Sequence, residues 1–288
     1  KYKKIYRSGG GKGNKLKSAL SSLAFCLLTS LIFGSSLMAT EIVAHRGASH
    51  DAPENTMSSV LLAWEKECDL AEVDVHLTKD NEIVVIHDKD TKRTAGVKLK
   101  VKKSTLAELR RLDFGSWKDQ KYAGERISTL AEVLPTIPEG KRLVVEIKCA
   151  GPIIEKLEEV IEASKVDRQQ VVIVSFDYEI VKRFKARNKD MVVMWLKKIK
   201  KGFLTGIYRP SAEHIIEKAL SAGLDGVDVK AVATVNASFV RKVKEAGLQL
   251  YVYTVDDIDH AKELIRLGID GLTTNRPGLM REVRSQVE

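Results

Sequence analysis

Across 288 residues, 48 lysines and arginines outnumber 39 acids, for a formal charge of +9. Seven of those bases (Lys1, Lys3, Lys4, Arg7, Lys12, Lys15, Lys17) fall in residues 1–39, which hold no acid, so residues 40–288 carry 41 bases against 39 acids, a formal +2. That near balance removes the compositional case for nucleic-acid binding, and no nucleic-acid partner is expected.

The basic start, the apolar run ALSSLAFCLLTSLIF and the small residues GSSLMAT read as a secretory signal over residues 1–39, cleaved after Ala39. Residues 40–288 are then expected to be exported, periplasmic or secreted, with no stable membrane contact. The alternative is an uncleaved anchor, because residues 18–40 carry no charge and suffice for a bilayer core of about 30 Å. GGGKG at 9–13 lacks the spacing of a phosphate loop and reads as a flexible tract. Cys68 and Cys149 are expected as free, buried thiols, since the strands below put them at opposite ends of a parallel sheet.

From residue 40 on, strand-like runs alternate with amphipathic segments. Strands are predicted at 42–45, 70–75, 142–148, 171–176, 191–196, 226–229, 248–254 and 270–274. Between them, PIIEKLEEVIEASK puts Ile153, Ile154, Leu157, Val160 and Ile161 on one helical face. The segments around 211–222, 236–247 and 257–268 repeat the pattern, with Asn236 or Asp256 at their starts and Gly247 and Gly268 at their ends. Eight alternating β and α units point to an α/β fold, a closed (β/α)8 TIM barrel.

One region breaks the alternation. EIVVIH follows the turn pair Asp80-Asn81 too closely for a parallel crossover, so it should fold back as a hairpin after the second barrel strand. A two-residue loop would set His87 opposite Asp74. The insertion, about 77–140 with a long excursion from 88, is expected to serve substrate recognition.

In EVD, Glu72 and Asp74 are two apart on a strand and so share a face, which a barrel turns inward. Buried like charges are costly unless a divalent cation joins them, and all-oxygen ligation suits Mg²⁺, Ca²⁺ or Mn²⁺. Glu146 in VVEIK is placed to complete the set, with Lys148 cofacial and facing an anionic substrate. His45, at the end of the first strand, should meet His87 at the same mouth. Two imidazoles, Arg46 and Lys148 beside a cation suit cleavage of a phosphodiester. HRGASHDAPENT (45–56) is read as the first rim loop, turning at Gly47 and starting a helix at Asn55 or Thr56; His50 and Asp51 have no assigned role.

HRGASHDAPENT, EVDVHLTKDNEIVVIHD, LDFGSW with AGERISTLAEVL, VVEIK, YVYTVDD and GIDGLTTNRPG occur in this order over nearly all of residues 40–288. With them the chain resembles the glycerophosphodiester phosphodiesterase family, of the phosphatidylinositol-phospholipase-C-like superfamily. The resemblance implies a (β/α)8 barrel with an insertion after the second strand, and hydrolysis of a glycerophosphodiester to glycerol 3-phosphate and an alcohol. It implies His45 and His87 as the acid–base pair and Glu72, Asp74 and Glu146 as ligands of one divalent cation, Ca²⁺ or Mg²⁺. Arg46 and Lys148 would contact phosphate, Tyr253 would wall the glycerol, and Glu54 and Asn55 would support the site.

The chain departs from the family pattern in three places. Tyr253 with Thr254, Val255 and Asp256 stands where Trp-Thr-Val-Asn is usual, Asn275 interrupts the usual Thr-Asp-Arg-Pro, and His50 replaces a common glycine. The alternatives are a phospholipase D-type hydrolase of lysophospholipids or sphingomyelin, which an apolar groove built by residues 88–125 would favour, and a non-catalytic glycerophosphodiester-binding protein.

Overall fold

Eight parallel strands close into a barrel in the computed structural model, which describes residues 39–288 apart from 150 and 204. The expected signal or anchor segment lies outside the described residues up to position 38. The barrel strands are β1 (Glu41–Ala44), β2 (Leu70–Leu77), β4 (Arg142–Ile147), β5 (Val171–Ser175), β6 (Val192–Lys197), β9 (Gly226–Lys230), β10 (Gln249–Tyr253) and β11 (Gly271–Thr274). Their order is β1-β11-β10-β9-β6-β5-β4-β2, and the β1–β2 pairing closes the ring. All eight predicted strands are present, within one or two residues at their ends.

Alternation along these strands builds two cores. Ala71, Val73 and Val75 of β2 and Leu143, Val145 and Ile147 of β4 face outward into the layer shared with the helices. Val43, Leu70, Val144, Val172, Val174, Met194, Leu196 and Tyr251 fill the interior. At the N-terminal end of the barrel Arg142 joins Glu41, and also meets the Tyr251 hydroxyl at 3.1 Å. The polar residues of the opposite end are thus set above a filled floor.

The outer helices are α1 (Met57–Glu65), α5 (Ile153–Ser164), α6 (Tyr178–Arg187), α7 (Ala212–Ser221), α8 (Ala237–Glu245), α9 (Ile258–Arg266) and α10 (Pro277–Val287). Thr56 caps α1 through a reciprocal capping box with Ser59, which settles the Asn55-or-Thr56 start in favour of Thr56. Asn236 caps α8 as expected, whereas α9 is capped by Asp257 and not Asp256, whose carboxylate is held elsewhere. Among the described residues no helix is long and apolar enough to cross a membrane.

Between β2 and β4 lie β3 (Ile83–Val85), α2 (Lys92–Ala95), α3 (Leu106–Leu109) and α4 (Leu130–Val133). β3 runs antiparallel to β2 as expected, but the register differs. Val75 pairs with Val85 and Leu77 with Ile83, and the amide N–H of Ile86 donates to the Asp74 carbonyl at 2.9 Å. Asp74 is therefore opposite Ile86, one residue away from the expected His87. The turn is a residue longer than two, with Asn81 at φ +63°. Val84, Ile86, Val101, Leu109, Phe114 and Ile127 give this excursion a small core of its own.

Cys68 and Cys149 are free thiols, the first buried and the second only half-buried. Burial pushes the Cys68 thiol up to about 12.

Candidate active site

A cavity of about 180 Å³ opens at the C-terminal end of the barrel, and its wall includes His45, Arg46, Glu72, His87, Glu146, Lys148 and Tyr253. Parallel pairing sets Asp74 beside Glu146, and Glu72 precedes Asp74 by one pleat on the same inward face. Oxygens of Glu72, Asp74 and Glu146 lie within 4.8 Å of one another, and all three residues are buried. Burial and the Asp74 charge hold Glu72 well above the usual carboxylate range. Burial and Asp74 push Glu146 up to about 7. Asp74 moves the other way, because the charges of Lys148 and Arg46 overcome its burial.

Oε1 of Glu72 and Oδ1 of Asp74 are buried without a hydrogen-bond partner. Lys148 Nζ is 2.7 Å from Glu146 and 3.3 Å from Asp74, so Lys148 and the Arg46 guanidinium, 3.2 Å from Asp74, face the three acids. Two orphaned carboxylate oxygens on β2, with the Glu146 carboxylate of β4 beside them, fit a hard divalent cation.

The rim loop 45–56 holds this group from above. The Arg46 amide N–H donates to Glu72 Oε2 at 2.7 Å, and Arg46 Nε lies 3.2 Å from Asp74. Asn55 clamps Asp74 from both sides, its Nδ2 donating to Oδ2 at 2.8 Å and its Oδ1 accepting from the Asp74 amide at 3.0 Å. Gly47 permits the turn: its φ is +73°, and a Cβ there would fall 2.5 Å from the Ser59 backbone. Glu54 accepts from Arg46 Nη1 at 2.8 Å and from Arg93 at 2.7 and 2.8 Å. His50 and Asp51 pair with each other at the surface, 2.8 Å apart, away from the cavity.

The two imidazoles are held differently. His45 Nδ1 is 2.7 Å from Asn275 Oδ1, while Asn275 Nδ2 donates to Asp256 Oδ2 at 2.6 Å. A carboxylate only accepts, so the Asn275 nitrogen must face Asp256 and its oxygen must face His45. Nδ1 of His45 therefore carries the proton and Nε2 keeps its lone pair. Burial and the Arg46 charge lower the His45 pKa, favouring that neutral ring. His87 instead has a carboxylate on Nδ1, Asp88 at 2.6 Å, which is fixed in turn by Arg93 Nε at 2.8 Å.

Asp256 and Asn275 are two of the departures noted above. Together they form one exchange of acid and amide across the β10–β11 seam, keeping the pair bonded while presenting an amide to His45.

Several contributors were not expected. Asp228 lines the cavity from β9, is buried with Oδ1 unpartnered, and is raised well above its usual pKa by burial and by Glu146. Its signal was present, since GVDV ends its strand as EVD does. Phe176 meets Tyr253 edge-on at 5.9 Å and lies under Lys148 at 5.7 Å and Lys198 at 5.1 Å. The Tyr253 hydroxyl is buried without a partner.

None of the residues lining this cavity comes from 88–125, the stretch whose apolar groove would favour the lysophospholipid alternative. The excursion grips the rim loop instead. Lys118 Nζ donates to the Ser49 carbonyl at 2.9 Å, Tyr122 Oη to the Asp51 carbonyl at 3.0 Å, and Ser58 Oγ to Glu125 at 2.6 Å.

Fold and mouth define a class: a (β/α)8-barrel hydrolase with a pocket for an anionic ester. The glycerophosphoryl diester phosphodiesterase family model matches residues 45–279. A glycerophosphodiester phosphodiesterase of Caldanaerobacter subterraneus subsp. tengcongensis is 33% identical over 244 residues, 83% of this chain and 96% of that protein. One from Bacillus subtilis is 31% identical over 258 residues, 84% of this chain and 85% of its own length. Among solved structures, an Oleispira antarctica phosphodiesterase in complex with the product sn-glycerol-3-phosphate superposes with a TM-score of 0.75 at 27% identity, covering 86% of this chain and 97% of its own. The chain belongs to the glycerophosphoryl diester phosphodiesterase family.

Proposed function

We propose that the protein hydrolyses glycerophosphodiesters to glycerol 3-phosphate and an alcohol, with His45 as base and His87 as acid. The observation that carries this assignment is the His45–Asn275–Asp256 chain, which leaves the Nε2 lone pair of a neutral ring free at the cavity. Nε2 takes a proton from the attacking hydroxyl, that of water or the substrate's own glycerol 2-hydroxyl. A new O–P bond forms as the bond to the alcohol breaks, and His87 returns a proton to the leaving oxygen. If the 2-hydroxyl attacks, water opens the cyclic phosphate with the two roles reversed.

Glu72, Asp74 and Glu146 would hold one divalent cation, Ca²⁺ or Mg²⁺, which supplies positive charge against the phosphoryl oxygens when bound. Arg46 and Lys148 orient the phosphate. Asp228 and Tyr253, with unpartnered polar atoms, receive the glycerol hydroxyls beside the Phe176 ring.

The test strips the protein with chelator, restores Ca²⁺ or Mg²⁺, and follows choline release from glycerophosphocholine and from lysophosphatidylcholine. His45→Ala and His87→Ala should each lower kcat by about 10²–10⁴-fold with cation affinity retained. Full activity in either variant would sink the assignment, and tight cation binding by Glu72→Gln would remove Glu72 from the ligand set. The lysolipid reading gains no cavity wall from residues 88–125 and is carried by a different element, the hairpin between β6 and α7.

A further inference from the structure

Between β6 and α7 the chain leaves the barrel rim as a small antiparallel hairpin, β7 (Lys200–Lys201) with β8 (Tyr208–Arg209). It is one of the loops after a strand, so it rises from the same end as the cavity. Gly202 N–H donates to the Ile207 carbonyl at 2.8 Å and Gly206 N–H to the Gly202 carbonyl at 2.9 Å, which gives the tip a defined turn.

This hairpin combines a basic composition with exposed apolar side chains at its tip. Residues 197–209, KKIKKGFLTGIYR, hold five cations and no acid, within residues 40–288 whose bases and acids nearly balance as a whole. Phe203 at the tip is 100% exposed and Ile207 53%. Lys197 lies over Trp195 at 4.3 Å and Lys201 over Tyr208 at 5.9 Å, so these cations rest on aromatic faces. Lys198 at the base lines the cavity. Single exposed apolar residues are ordinary on protein surfaces. A phenylalanine and an isoleucine at a projecting tip, with a collar of lysine and arginine below, match the layering of a lipid interface.

We propose that this hairpin docks the enzyme on an anionic lipid bilayer. Phe203 and Ile207 enter the boundary between headgroups and acyl chains, and Lys200, Lys201 and Arg209 meet lipid phosphates. Docking turns the mouth toward the surface, where glycerophosphodiesters that keep an acyl chain reside. This departs from the expectation that residues 40–288 make no stable membrane contact once the leader is cleaved. The proposal needs the fold alone and stands or falls separately from the two-histidine mechanism.

The full chain and its variants, all with the same residues 1–39, are tested on vesicles of phosphatidylcholine alone or with phosphatidylglycerol. Lys200→Gln with Lys201→Gln should weaken partition onto the anionic vesicles by about 30-fold, from the loss of two surface charges. Phe203→Ser with Ile207→Ser should weaken it at least tenfold, and the Phe203→Trp variant should shift its emission to the blue on binding. Hydrolysis of water-soluble glycerophosphocholine should be unchanged in all of these, which also reports that they fold. Equal sedimentation of parent and variants, equal binding to neutral vesicles, or an unmoved emission in the Phe203→Trp variant would each overturn docking. Retention by a protein partner with no vesicle binding would do the same.

Discussion

Asn275 decides how His45 works. Its carbonyl oxygen accepts from Nδ1 at 2.7 Å because Asp256 claims its amide nitrogen. An aspartate at 275 would instead put a negative charge against the ring and favour the imidazolium. Since a general base acts only when deprotonated, Asn275→Asp should move the acid limb of the pH–rate profile to higher pH. Adding Asp256→Asn to that variant should restore the hydrogen bonds but leave the limb displaced; a limb that stays in place in both would show that the exchange does not tune His45. The places of Glu72, Asp74, Glu146, His45 and Lys148 at the mouth were legible from strand ends and two-residue spacing, whereas His87 reaches the cavity on a register one residue from the expected one. The partner of His45 was not legible, because Asn275 is 230 positions away and its amide orientation depends on Asp256.

At the scale of elements, the excursion between β2 and β4 serves the site indirectly. Its Arg93 ties Glu54 of the rim loop to Asp88, which holds His87, so one guanidinium couples the two sides of the mouth. Arg93→Ala should lower kcat/KM about tenfold, as loss of an outer hydrogen-bonding partner typically does, while the unfolding midpoint stays nearly constant. A parallel fall in thermal stability would mean that Arg93 supports the excursion and not the site. Gly47→Ala should be a stability variant instead. A Cβ 2.5 Å from Ser59 at φ +73° should cost about 2–3 kcal/mol, measured from the denaturant midpoint; a change below about 0.5 kcal/mol would contradict the packing of this turn. The hairpin was foreseen from Asp80-Asn81, but its register depends on turn geometry that the residue pair alone does not specify, and the one-residue difference moved Ile86 opposite Asp74.

For the whole molecule, the acidic group couples stability to pH and to cation. Burial and Asp74 hold Glu146 at about 7 without a cation, above its ordinary 4.5. A carboxyl whose folded pKa is raised contributes stability that is complete below the unfolded value and lost as pH rises through the folded one. Glu72 acts in the same direction, and Asp74, lowered in the fold, exerts its effect at more acidic pH. The chelated protein should therefore lose on the order of 2 kcal/mol between pH 5 and 8, read as a falling thermal midpoint. Ca²⁺ or Mg²⁺ should raise that midpoint most at pH 8, and a cation-free midpoint independent of pH would argue against a buried acidic group of this kind.

The sequence by itself determined the barrel and most of its mouth, because the two-residue strand period and the helical period are local and leave a readable trace in the order of residues. Only the tertiary structure decided which distant side chains share a hydrogen bond. Ring closure and strand stagger bring Asp256 to Asn275, the fold of the excursion brings Arg93 to Glu54, and each of these meetings depends on long-range placement that no local period encodes.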